Sequence, residues 1–165
     1  MKKLSIILII LAVAFFAAGC KDSKSDKITI GISKIVSHPA LDSVEKGIQD
    51  QLKEEGYTNI TYDLQNANGE ISTAASIAQK FKADKVNIAV GIATPTAQAL
   101  TNSIKDAVVI YSAVTDPVDA GLVKSFTAGE KNVAGVSDMT PVKDQIAFLK
   151  KLKDVKRLGH IYASH

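Results

Sequence analysis

The chain has a single cysteine, Cys20, and a single arginine, Arg157, among 165 residues. One cysteine excludes an internal disulfide and a cysteine pair for zinc, so the fold must stand on its apolar core. Lysine supplies nineteen of the twenty basic groups. It lacks the planar fork with which arginine grips phosphate or carboxylate bidentately. Also missing are G-x-x-x-x-G-K-[ST], G-x-G-x-x-G, H-E-x-x-H and G-x-S-x-G. Nucleotide cradles, zinc hydrolysis and a hydrolase elbow therefore lack support, and no cofactor is expected. His38, His160 and His165 stand apart, without metal-ligand spacing.

Long hydrophobic runs are scarce too. The one that exists, Ile6 to Ala18, is thirteen residues, preceded by Lys2 and Lys3 and followed by Gly19-Cys20. A positive head, a short apolar stretch and a small-residue site make a secretory leader, short of the roughly 20 residues that span a bilayer. Ala18-Gly19-Cys20 resembles a bacterial lipobox, with Ala17 where leucine is usual. The expectation is a leader over residues 1–20, lipidation of Cys20, and a protein exported and anchored as a lipoprotein to the outer face of the cell membrane, or on the periplasmic side in a two-membrane cell. The alternative is an uncleaved anchor with an incidental cysteine. The net charge of +3 includes the two leader lysines. About +1 remains after their removal, a balance that implies no nucleic-acid partner.

Lys21 to Lys27 (KDSKSDK) reads as a flexible tether. Lys27 to Ser33 (KITIGIS) alternates as a strand. Pro39 opens a helix with Leu41, Val44, Ile48 and Leu52 on one face, closed at Gly56. Asn59 to Leu64 is a second strand. Ile71, Ala74, Ala75, Ala78 and Phe81 mark a second helix. Val86 to Ile92 is almost continuously apolar, as in a strand covered on both faces. Thr94-Pro95-Thr96 opens a third helix, Ala107 to Ala113 is a fourth strand, and Asp116 to Gly121 a turn. Val133 to Val136, a helix from Pro141 and a strand from Arg157 to Tyr162 complete the order. Such alternation gives an α/β, doubly wound parallel sheet.

Ligands of such sheets bind outside the carboxyl ends of the strands. Three loops qualify: Ser33 to Pro39, Ala93 to Thr96 and Ser112 to Pro117. Helix N-termini there favour a carboxylate or phosphate, and Thr94 and Thr96 can add hydroxyl donors. Ordinary capping and pre-proline turns account for the same residues. His38 could touch a ligand or be solvated. Asp116 and Asp138 could be a carboxylate pair or simple turn residues.

Several segments together resemble the substrate-binding lipoproteins of ABC importers, in the group of tryptophan- and tyrosine-type binding proteins. They are ITIGISKIVSHPALDSVEKGIQDQLKEEGY, NANGE, VGIATPTAQAL, YSAVTDPVDAGLV and VAGVSD. The resemblance implies a periplasmic-binding-protein type I-like N-terminal lobe over residues 28–136, with 137–165 holding a hinge crossing and only the start of a second lobe. It implies no catalysis. It implies a small carboxylate-bearing ligand, such as an aromatic amino acid, held between two lobes, with an ABC permease and its ATPase as partners. By it, Ser33, His38, Thr94, Thr96, Ser112, Thr115 and Asp116 are the expected ligand contacts. Members usually run to about twice this length, so the chain reads as truncated. The helix from Pro141 and the strand from Arg157 should then lack partners, and ligand binding should be weak. An exported flavodoxin-like or receiver-like module, or a hydrolase, is the competing reading. A receiver would carry an aspartate where Gly91-Ile92-Ala93 ends the third strand.

Overall fold

The computed structural model describes residues 27–159; the leader, Cys20, His160, His165 and the tether up to Asp26 lie outside them. The strands are β1 (Ile28–Lys34), β2 (Ile60–Asn66), β3 (Ile88–Ile92), β4 (Val108–Val114) and β5 (Val133–Ser137). The helices are α1 (Pro39–Glu54), α2 (Ile71–Ala83), α3 (Thr94–Ser103) and α4 (Val142–Leu152). The five strands form one sheet in the order β2-β1-β3-β4-β5, and every neighbouring pair is parallel. Short βα units with right-handed crossovers allow few other arrangements.

β3 sits at the centre and is buried along Ala89–Ile92, which explains its unbroken apolar run. One face carries Ile30, Ile32, Val90 and Ile92 against the half-buried α1 residues Leu41, Val44, Ile48 and Leu52. The other face is the larger core, in which Phe81, Ala78, Leu100, Val109 and Tyr111 meet under α2 and α3. Gly31 and Gly91 permit the close approach of those helices. A Cβ on Gly31 would lie 2.8 Å from the Phe81 ring, and one on Gly91 would lie 2.6 Å from the Ala97 Cα.

One expectation fails in detail, and a second is open to view over only half of its length. Ile71 is 70% exposed and Ala75 is exposed as well, whereas Ile77 takes the inner position on α2. Residues 157–159 form no strand, and the rest of the expected Arg157–Tyr162 strand lies outside the described residues. The helix from Pro141 does form, but α4 buries none of its residues.

A small ion-pair cluster joins β1 to α1. The Lys34 ammonium donates to Asp42 Oδ1 at 2.6 Å and lies 3.3 Å from Glu45 Oε2, with only 14% of its side chain exposed. Its hydrogen bond to Asp42 raises the lysine pKa, and the same bond, helped by Ser37, lowers that of the aspartate. Glu45 Oε2 is buried and has no hydrogen-bond donor of its own. Lys34→Met is therefore expected to destabilise by about 1–3 kcal/mol, because a buried carboxylate oxygen loses its one compensating charge. The lowered Asp42 pKa contributes stability that is fully present above the ordinary carboxylate value and is lost as pH falls from there through the lowered folded value. Urea midpoints measured from pH 7 down to pH 3 should accordingly converge for the two proteins at the acid end.

Candidate functional site

A cavity of about 880 Å³ opens at the carboxyl edge of the sheet. It runs from the ends of β3 and β4 into the groove between α2 and α3. Its walls are largely apolar: Ile71 and Ala75 from α2, Pro95 and Ala99 from α3, and Ala93 and Ala113 from the strand ends. Thr94, Thr115 and Asn102 supply polar groups whose side chains make no hydrogen bond among the described residues.

The helix that faces this cavity is left uncapped. Ala93 is the N-cap of α3 and offers no side-chain acceptor. The first N–H groups of a helix have no intrahelical partner, which leaves the N–H of Thr94, a cavity-lining residue, as an orphan donor at the positive end of the helix. α1 differs, since His38 caps it: His38 Nδ1 accepts from the Ala40 N–H at 3.2 Å.

Backbone strain gathers at the same place. Ala93 has φ +81° and ψ 158°, a region that is essentially glycine's own. Ala113, within β4, has φ +52° and accompanies the register shift between Tyr111 and Val114. Both alanines line the cavity. Ala93→Gly should raise stability by about 1 kcal/mol, the relieved strain outweighing the extra freedom of the unfolded chain. Guanidinium denaturation measures this, and a lowered midpoint would show that the turn is unstrained.

The expected ligand residues divide. Thr94 and Thr115 line the cavity; Ser33, His38, Thr96, Ser112 and Asp116 do not. Thr96 is fully buried, and its hydroxyl donates to the carbonyls of Ile92 at 2.7 Å and Ala93 at 3.0 Å. It braces the turn from within. Ser33 is 1% exposed, and its hydroxyl finds no partner among the described residues. One Asp116 carboxylate oxygen accepts from the Val118 and Asp119 N–H groups, which fixes the following turn. Ser112 is half-buried in β4, and its carbonyl accepts from the Ala93 N–H at 3.0 Å. His38 is exposed in its capping role. The apolar wall was missed from sequence, and exposed Ile71 is its clearest member. No cluster of three or more metal-ligating side chains occurs among the described residues.

Comparison with known proteins bears on this geometry. The family model described as ABC transporter substrate binding protein matches residues 29–165. The chain is 45% identical over 145 residues to the tyrosine-binding protein of Clostridioides difficile strain R20291, an alignment covering 86% of the chain and 42% of that relative. A Streptococcus pneumonia ABC domain solved in complex with L-Trp superposes with a TM-score of 0.71 at 43% identity, over 75% of this chain and 43% of that one. A ligand-free, open substrate-binding protein with adhesive properties from Clostridium difficile gives 0.71 at 42% identity, with the same coverage. The chain thus spans less than half the length of these relatives.

Proposed function

The chain belongs to the ABC transporter substrate-binding protein family, and from that premise we propose that its cavity receives a small carboxylate-bearing solute, an aromatic amino acid, for delivery to an ABC permease and its ATPase. The observation that carries this reading is the uncapped N-terminus of α3 opening beside an apolar wall. A ligand carboxylate would meet the orphan Thr94 N–H and the Thr94 hydroxyl, where charge is favoured by the helix dipole. Its ring would lie against Ile71, Ala75 and Ala99. Pocket walls of this kind, mostly apolar with a few convergent polar groups, suit small-molecule capture. The relatives named for tyrosine and solved with L-Trp support the ligand class. No catalytic step belongs to this reading. Export, with lipid on Cys20 holding the lobe beside its permease, completes it.

The described residues build one wall of a cleft. In a two-lobed binding protein, closure of the second lobe supplies much of the affinity. The leader-free chain, residues 21–165, should therefore bind L-tryptophan or L-tyrosine with a Kd weaker than about 1 μM. At millimolar L-tryptophan, amide resonances of Ala93 to Thr96 and Ala113 to Thr115 should shift, and Thr94→Val should weaken the response. Submicromolar calorimetric affinity would refute the one-wall reading. Shifts confined to other loops would refute the site.

A further inference from the structure

We propose that Asn68-Gly69 is a latent self-modification site, held unreacted by the hydrogen bonds of its own turn and free to cyclise when that turn opens. The chain has six asparagines, and only Asn68 is followed by glycine. Asn59, Asn87 and Asn132 precede isoleucine or valine, whereas Asn66 and Asn102 precede Ala67 and Ser103. A side chain on the following residue crowds the nitrogen that must attack the asparagine amide. Glycine, with no Cβ, leaves that nitrogen free. In the unfolded chain Asn68 is therefore the most reactive of the six.

The fold opposes the reaction. Asn68 and Gly69 have φ of +52° and +85° and are the central residues of the tight turn between β2 and α2. The Glu70 N–H closes this turn on the Ala67 carbonyl at 2.9 Å. Positive φ at both central residues makes it the type I′ turn that Asn-Gly favours. It is pinned from outside as well. The Ala67 N–H donates to the Lys34 carbonyl at 2.9 Å, and the Gly69 N–H to the Ile35 carbonyl at 2.7 Å. The Asn68 N–H donates to Asn66 Oδ1 at 2.9 Å. Four consecutive N–H groups, 67 to 70, are thus engaged. The Gly69 bond decides the outcome, because its nitrogen is the attacking atom. To reach Asn68 Cγ that nitrogen must swing away from Ile35 and give the bond up.

In the open turn the Gly69 nitrogen yields its proton to solvent base and bonds to Asn68 Cγ. The Cγ–Nδ2 bond breaks, and ammonia leaves after taking a proton from water. Water then opens the cyclic imide. Cleavage of the new N–Cγ bond leaves aspartate at position 68. Cleavage between the nitrogen and the main-chain carbonyl leaves isoaspartate, whose main chain runs through Cγ and is longer. With that longer main chain the Ala67–Glu70 closure and the Ile35 clamp no longer fit one turn. α2 begins just beyond, at Ile71, which lines the cavity. The modification thus acts on a wall of the candidate site.

The test incubates the full chain at mildly alkaline pH, folded in buffer or unfolded in concentrated guanidinium, and follows each asparagine by peptide mass mapping. In the unfolded chain Asn68 should outpace the other five. Folding should slow it by at least about tenfold, and hydrogen exchange of the Gly69 amide should be slowed to match, since one opening frees the same N–H for both. Asn66→Ala removes the side-chain acceptor of the turn. It should speed the folded-state reaction about fivefold and leave the unfolded rate unchanged. Equal rates in the folded and unfolded chains would overturn the proposal. So would another asparagine leading in the unfolded chain, or a Gly69 amide that exchanges freely while Asn68 stays intact.

Discussion

Phe81→Ala is expected to lower the unfolding free energy by about 3–5 kcal/mol, a large share of what a domain of this size possesses. Phe81 is fully buried at the centre of the larger core, on the face of α2 that meets the sheet. Its ring occupies the space left by Gly31, whose absent Cβ would lie 2.8 Å from two ring carbons. The two positions are therefore one packing unit. Gly31→Ala alone forces the ring off its rotamer and should cost about 1–3 kcal/mol. In the double variant the new methyl enters the space vacated by the ring. The combined loss should fall short of the sum by more than about 0.5 kcal/mol, the coupling expected of residues in contact. Urea midpoints of the four proteins at constant m-value measure this. Simple additivity would mean that Gly31 serves the backbone rather than the ring.

This pair also marks how far the sequence could be read. The order of strands and helices was legible, because period-two and period-3.6 patterns alternate cleanly and Pro39 and Pro95 stand at true helix starts. The face of α2 was read less well. At about 100° per residue, Ala74, Ala78 and Phe81 centre the stripe once Ile77 is included. Ile71 and Ala75 then fall toward its edge, and so they line the cavity instead of the core. The strained turns were not legible. Glycine and asparagine announce positive φ, and alanine does not, so Ala93 and Ala113 gave no sign of their geometry. Threonine at a helix start fits both a ligand contact and a brace. Only the bond from Thr96 to the Ile92 carbonyl separates it from Thr94. Over residues 157–159 the expected strand does not form, and the remainder of that stretch lies outside the described residues.

Gly91→Ala should be at least as damaging, and for a different reason. Its Cβ would lie 2.6 Å from the Ala97 Cα, 2.7 Å from the Ala97 nitrogen and 3.1 Å from the Thr96 carbonyl carbon. These are backbone atoms, so no rotamer change relieves the overlap. The N-terminal turn of α3 would have to move off β3, at a cost of about 3 kcal/mol or more. Truncating the opposing side chain cannot help. Ala97→Gly leaves the clashing Cα and nitrogen in place, and the double variant should be no more stable than Gly91→Ala alone. The displaced turn is the one that holds Thr94 and its orphan donor at the cavity, with Thr96 bracing it through the Ile92 and Ala93 carbonyls. The amide shifts expected on adding L-tryptophan should therefore vanish in Gly91→Ala even where enough folded protein remains to record them. In the Phe81 variant, whose loss lies deeper in the core, they should persist under native conditions. If both variants lost the response in proportion to their stability, the ligand would be reporting the fold as a whole. Loss confined to Gly91→Ala would tie it to the approach of α3 to β3.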